Sequence, residues 1–344
     1  YMDSIPMVAI TGQVKRELIG KDAFQEVDII GATLPFTKHS YLVKDVNDIP
    51  RIVNEAFHIA TTGRPGPVLI DFPLDVLTDE YDEENTDTEI NLRGYKLLGK
   101  ANESQIKKVA DALRKAKNPI ILVGGGVCCS DAVNEVREFV KMTNIPVVST
   151  MMGLGVIPTD SDSYYGMIGS HGKKCANALL NRSDFILALG TRLGDRSIAN
   201  IKGLEKVKKL VHVDIDPAEI GKNTLPKIPV VGDIKDVTTQ LIKIAGDYRT
   251  SSEWLNEAHE LRAETKRELV KHDTGFVNPK YFLERLSQIT NSDIYLTTEV
   301  GQNQIWSANH YTIKDPTHFL TSGGFGTMGY GLPAAIGASS AQSD

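Results

Sequence analysis

Pro119-Ile120-Ile121-Leu122-Val123-Gly124-Gly125-Gly126 decides the fold of this chain. An apolar run without polar alternation is buried on both faces, the habit of a strand inside a parallel sheet. The glycines that end it let the backbone turn tightly and approach a ligand. On the N-terminal side, Asn102 reads as a helix cap with Gln105 as its capping-box partner. Ile106, Val109, Ala110 and Leu113 then form the inner face of that helix. On the C-terminal side the spacing predicts a helix from about Ser130 to Met142, a strand over Ile145 to Thr150 and a helix over Lys173 to Asn181. Strands follow over Asp184 to Leu189 and Lys209 to Ile215, then a helix over Ile234 to Tyr248. This alternation defines a doubly wound α/β domain with a parallel sheet, complete over residues 102–248.

The flanks carry the same signature in shortened form. Ile5 to Thr11 reads as a strand, Gly12-Gln13 as a turn, Ile49 to Thr62 as a helix and Val68 to Pro73 as a strand, with Gly63-Arg64-Pro65-Gly66-Pro67 between the last two. Beyond the centre, Ser251 to Asp273 reads as a charged surface connector and Pro279 to Ile289 as a helix. Ile294 to Thr298 and Thr317 to Thr321 read as strands. Thr321 to Gly337 (TSGGFGTMGYGLPAAIG) is a glycine-rich turn opening a helix at Leu332-Pro333-Ala334-Ala335-Ile336. The expected architecture is α/β with doubly wound parallel sheets: one complete central domain between two truncated α/β domains. Its segments are 1–85, a linker at 86–101, then 102–248, a connector at 249–275, and 276–344, with the acidic run Asp79 to Asn91 reading as a solvated interdomain linker.

Composition excludes several classes of function. The 344 residues are 41% hydrophobic and 24% charged with net charge −6, so no basic field argues for nucleic acid. No run of 18 apolar residues suggests a membrane span. Cys128, Cys129 and Cys175 suit neither a disulfide framework nor a zinc site, and a reducing cytoplasm is expected. Gly-x-Ser-x-Gly, His-Glu-x-x-His and Walker loops do not occur.

Ligands of an open parallel sheet bind at the carboxyl ends of its strands. Those ends carry Gly124-Gly125-Gly126, Met151-Met152-Gly153-Leu154-Gly155, Gly190 to Arg196, Asp214-Ile215-Asp216 and Gly232-Asp233, with Gly166 to Gly172 among them. Arg192 and Arg196 can neutralise phosphates, and Asp214 can accept from a ribose. Each has a plain structural reading alone: a turn, a surface ion pair with Asp195, a structural His171. Their joint placement argues for an extended nucleotide site. Gly324-Phe325-Gly326-Thr327-Met328-Gly329 also matches a dinucleotide fingerprint, a weak signal by itself.

Taken together the motifs resemble the catalytic subunits of acetolactate synthases, which are thiamine-diphosphate enzymes. The resemblance runs through Thr11-Gly12-Gln13-Val14, Ile19 to Glu26, Thr37-Lys38-His39 and Gly63 to Pro67. It continues through Gly169-Ser170-His171-Gly172, Arg192-Leu193-Gly194-Asp195-Arg196, Asp214-Ile215-Asp216-Pro217, Glu299 to Trp306 and the glycine stretch. It implies a pyrimidine-binding, an FAD-binding and a pyrophosphate-binding domain. It also implies condensation of two 2-oxo acids with loss of CO2, on the route to branched-chain amino acids.

By motif, Arg64, Gly124, Gly125, Gly126, His171, Arg192, Arg196, Asp214, Ile215, Asp233 and Ile234 would line the FAD site. Phe24 and Gln25 would face the substrate from a neighbouring subunit. Val300, Gly301, Gln302 and Asn303 would reach the diphosphate, and Gly326 and Met328 the aminopyrimidine, with Met328 holding the cofactor bent. Gly194, Asn303 and Leu74 stand where the family often has a carboxylate, a His and a Lys.

The family's activating glutamate would lie before Tyr1 and its Mg2+ motif after Asp344, so this stretch alone is expected to be inactive. A homodimer or tetramer and a small regulatory subunit are the partners implied. Rival readings are a catabolic acetolactate synthase, a glyoxylate carboligase, a pyruvate oxidase, or a non-catalytic FAD-binding module.

Overall fold

The structure, a computed structural model, describes residues 1–83, 88–90, 92–97, 100–198, 209–265 and 275–342. The chain forms two compact units, Tyr1–Leu97 and Leu98–Asp344. Both are α/β with parallel sheets, as the sequence indicates. No described helix is long and apolar enough to cross a membrane.

In the first unit, β1 (Met7–Gln13), β2 (His39–Leu42) and β3 (Pro67–Pro73) form a parallel sheet in the order β1-β3-β2. Central β3 is buried along its whole length. Helix α1 (Ile29–Thr33) precedes β2, and α2 (Ile49–Thr61) lays Ile52, Ala56, Ile59 and Ala60 on Val68, Ile70 and Phe72. Gly12 and Gln13 are not a turn. They extend β1, pairing with Phe72 and Pro73. Extended geometry places the Gln13 carboxamide where its Nε2 donates to Asp71 (3.0 Å) and to the Val27 carbonyl (2.9 Å), so a polar strand end is satisfied. The acidic run falls partly on residues 84–87 and 91, outside the described residues.

The second unit opens with α3 (Glu103–Arg114) and β4 (Pro119–Val123). Then come α4 (Gly126–Cys129), α5 (Val133–Thr143), β5 (Val147–Ser149), β6 (Tyr164–Met167) and α6 (Lys174–Arg182). Strands β7 (Phe185–Leu189), β8 (Lys209–Asp214) and β9 (Ile228–Val231) complete the sheet. The described strands are all parallel, in the order β6-β5-β4-β7-β8-β9. Counted from β4, that is the doubly wound order 3-2-1-4-5-6. Asn102 caps α3 by accepting from Ser104 N–H (2.9 Å), while the Gln105 N–H donates to the Asn102 carbonyl (2.9 Å), so the Asn102 side chain does not take the Gln105 amide as a capping box requires.

The unbroken apolar run of β4 follows from this position. Ile121 and Val123 join one core with Val109, Leu113, Phe139, Val140, Val237 and Leu241. Ile120 and Leu122 join another with Ala176, Leu179, Trp254, Ala258 and Leu261. The charged helix expected as a surface connector is docked: over Ser252–Thr265 it buries Trp254, whose Nε1–H donates to the Pro119 carbonyl (2.9 Å). The part of that expectation over 266–273 lies outside the described residues. Strands β6 and β9 were not legible as strands. Both are short edges, one carrying Gly166 at φ 121° and the other Pro229, residues that weaken a strand signal.

Helices Pro279–Ile289, Gln302–His310 and Gly331–Ala341 surround a small parallel pair, β10 (Leu296–Thr297) and β11 (Phe319–Leu320). The expected strand over Thr317 to Thr321 is shorter because Pro316–His318 forms a 3-10 turn capped by Asp315. Ala308, Tyr311, Ile313 and Phe319 continue the first core. Arg137 of α5 fastens this region: it donates to the carbonyls of Val156 (2.7 Å), Gly155 (2.9 Å) and Lys314 (2.9 Å). Thr159 N–H and the Ile313 carbonyl add a further tie (2.9 Å).

Candidate functional site

The strand order of the six-stranded sheet reverses between β4 and β7, where a crevice for a ligand belongs. Glycines floor it. A Cβ on Gly124 would stand 2.3 Å from the Gly190 carbonyl oxygen, and one on Gly126 would stand 2.6 Å from Gly190 Cα. Only glycine lets these two loops touch. Leu193, buried at φ 50°, turns the loop that follows β7, and Asn223 Nδ2 donates to the Arg192 carbonyl (2.8 Å).

The loop bearing His171 is brought to the one bearing Arg196 by Ser170 N–H donating to the Arg196 carbonyl (3.1 Å). Arg196 itself is exposed, with Asp195 3.8 Å away. Asp214 ends β8 nearly buried and accepts the Asp216 N–H (2.9 Å), which orders the turn through Ile215. Asp233 caps the Ile234–Ala245 helix by accepting from Lys235 (2.9 Å) and Asp236 (3.2 Å). Ile234 is buried against Gly190 and belongs to the floor. Bare glycine backbone, two arginines and an acidic strand end are a donor set that fits a dinucleotide.

The second cluster lies at the ends of β10 and β11. Thr298 and Thr321 hydroxyls meet at 2.7 Å, and Gln304 Nε2 donates to Thr321 Oγ1 (2.6 Å) and to the Ser322 carbonyl (3.2 Å). These buried bonds fix the strand ends and the start of the glycine stretch. Ser322 Oγ then accepts from the N–H groups of Gly326 (3.1 Å) and Thr327 (3.0 Å), curling the loop. Gly326, at φ 73°, passes beside Val300, from whose Cγ1 an added Cβ would stand 3.8 Å.

Glu299 holds the far side of this loop. Its carboxylate accepts from Gly331 N–H (2.5 Å) and Gly329 N–H (2.8 Å). Those amides hold its pKa below the ordinary glutamate range. Gly301, at φ 126°, starts the Gln302–His310 helix without a side-chain cap, leaving the first-turn amides facing outward with exposed Gln302 and Asn303. Met328 is 84% exposed and Phe325 75%. An uncapped helix start beside a bare loop with an apolar residue at its tip fits a diphosphate joined to an aromatic ring. Glu299 and Gln304 lie in the motif quoted above, yet their roles need the fold: one gathers amides of the loop, the other braces two strand ends.

Arg64, Phe24 and Gln25 belong to the first unit. Arg64 Nε donates to Ser4 Oγ (3.0 Å) and its guanidinium lies 5.3 Å from the Tyr1 ring centre. Phe24 is 89% exposed, and Gln25 takes φ 62° beside Glu26, which accepts the Gly20 and Ala23 amides.

With this geometry in view, residues 106–241 match the family described as Thiamine pyrophosphate enzyme, central domain, and residues 299–344 match Thiamine pyrophosphate enzyme, C-terminal TPP binding domain. The chain belongs to the thiamine pyrophosphate enzymes. Within them it is homologous along nearly its whole length to acetolactate synthase large subunits.

It is 42% identical over 342 residues to the acetolactate synthase of Mycobacterium leprae, covering 98% of this chain and 55% of that protein. It is 42% identical over 348 residues to a probable large subunit from Methanocaldococcus jannaschii (98% and 59%). A Lactococcus lactis large subunit is 41% identical over 344 residues (99% and 59%). The chain thus spans little more than half the length of the curated relatives it matches.

Proposed function

We propose that this protein condenses two 2-oxo acids, pyruvate with pyruvate or with 2-oxobutyrate, releasing CO2 to give acetohydroxy acids. The observation that carries this reading is the glycine loop pinned by Glu299 and Ser322, in a chain homologous throughout to acetolactate synthase large subunits. Thiamine diphosphate, bound there, supplies the nucleophilic carbon and the electron sink for decarboxylation. Val300, Gly301, Gln302 and Asn303 hold the diphosphate through the uncapped helix start. Gly326 gives the aminopyrimidine close access to the backbone, and Met328 props it. Phe24 and Gln25 of a neighbouring subunit face the substrate region.

FAD is the dinucleotide we assign to the central sheet, held by His171, Arg192, Arg196 and Asp214 over the Gly124-Gly125-Gly126 floor, with Ile215, Asp233 and Ile234 framing it. It serves as a structural ligand, with no electron transfer asked of it. Mg2+ accompanies the diphosphate. Among the described residues no group of three His, Cys, Asp or Glu side chains stands ready to hold a metal. The segments 1–85, 102–248 and 276–344 correspond in this reading to pyrimidine-, FAD- and pyrophosphate-binding domains. A cytoplasmic homodimer or tetramer with a small regulatory subunit completes it.

Product analysis of the full-length protein tests the proposal. Pyruvate should give acetolactate, and added 2-oxobutyrate should give acetohydroxybutyrate. Acetate from pyruvate, or product only with glyoxylate, would replace the reading by an oxidase or a glyoxylate carboligase.

A further inference from the structure

Met152 touches both candidate cofactor sites. It follows β5, and its Cβ faces the glycine floor of the central sheet: a Cβ on Gly125 would stand 3.0 Å from it. Its sulfur faces the other way, where a Cβ on Gly323 would stand 2.4 Å from Met152 Sδ. Gly323 directly follows Ser322, the residue whose hydroxyl curls the loop by binding Gly326 and Thr327. One side chain therefore spans from the glycine triplet to the start of the thiamine loop.

The span has little room to give. Arg137 ties the segment after Met152 to Lys314 through three carbonyls, and Thr159 and Ile313 are joined in both directions at 2.9 Å. A Cβ on Gly153 would stand 2.3 Å from the Val123 carbonyl oxygen, so the chain beside Met152 is pressed on the end of β4. Close-packed contacts of this kind transmit displacement.

We propose that Met152 is a positioning residue shared by the two sites, so that dinucleotide and thiamine diphosphate bind with positive coupling. Settling of the Gly124-Gly125-Gly126 floor around one ligand fixes Met152, which fixes Gly323 and Ser322 and so pre-forms the loop for the other. The inference rests on the cofactor assignment above. By linkage, each ligand tightens the other by the same factor.

The test is calorimetric titration of the full-length protein with thiamine diphosphate and Mg2+, with and without saturating FAD, and the reciprocal titration. Wild type should show about tenfold tighter binding of each in the presence of the other. Met152→Ala should bind both with the factor near one, and Met152→Leu, of similar volume, should retain it. Gly323→Ala presses on the sulfur from the opposite side and should lower the factor with Met152 intact. A factor of one in wild type, or an undiminished factor in both Met152→Ala and Gly323→Ala, overturns the inference. Uptake of neither cofactor by wild type overturns the cofactor assignment itself, and the inference with it.

Discussion

Glu299 and Gly331 are joined by a hydrogen bond of 2.5 Å from the Gly331 amide to the Glu299 carboxylate, at the first residue of the Gly331–Ala341 helix. The other carboxylate oxygen takes the Gly329 amide at 2.8 Å. Charge-assisted bonds to two amides of one loop hold the end of the glycine stretch against β10. Because the folded pKa is lowered, the bonds are complete above the ordinary glutamate pKa of about 4.3 and are lost as pH falls below it. Glu299→Gln should loosen thiamine diphosphate binding at neutral pH and remove the acid-dependent weakening expected of wild type. Titrations across that range check both.

Trp254 is 1% exposed and bonded to the Pro119 carbonyl, the first residue of β4. Trp254→Ala should destabilise the second unit by about 3–5 kcal/mol through cavity formation. Trp254→Phe keeps most of the packing and loses the indole donor, and should cost about 1–3 kcal/mol because the buried carbonyl is left unpaired. Urea unfolding followed by a probe in the second unit measures each.

His212 lies 1% exposed in β8, with Nε2 2.8 Å from the Thr191 carbonyl and Nδ1 without a partner. Burial lowers its pKa below the ordinary value of about 6.5. The folded state therefore binds fewer protons than the unfolded one below that pH. Stability is full above about 6.5 and declines as pH falls beneath it. His212→Leu should flatten this decline, and unfolding midpoints of the two proteins over the range will show it.

Asp233 is assigned both a helix cap and a place at the dinucleotide site, and substitutions separate the two. Asp233→Ala should cost about 1 kcal/mol of stability, whereas Asp233→Asn keeps an acceptor for Lys235 and Asp236 and should retain most of it. A drop in FAD affinity in Asp233→Asn without loss of stability would mark the carboxylate as a contact in its own right.

Strands β4 and β7 of the central sheet were legible because they are buried along their whole length and end in Gly124 and Gly190, so pattern and punctuation agree there. Edge strands escaped because both are four residues long, Tyr164–Met167 carrying a glycine and Ile228–Val231 a proline, and the second is only partly buried. Gly12-Gln13 misled because glycine usually marks a turn, and nothing local reveals that Asp71 receives the Gln13 carboxamide. At the candidate sites, the residue types at strand ends were readable. Glu299 and Met152 were not, because each acts on a glycine distant in sequence: 30 residues away for Gly329 and far further for Gly323.

Binding of thiamine diphosphate to the Val300–Met328 loop region is the claim on which the rest depends. Calorimetry of the full-length protein with Mg2+, wild type against Gly326→Val, measures it directly. At φ 73° a β-branched residue is strained and would shift the loop backbone, so saturable binding in wild type should be lost in the variant while the rest of the fold keeps its cooperative unfolding. Equal binding by both proteins, or none by wild type, would contradict the account.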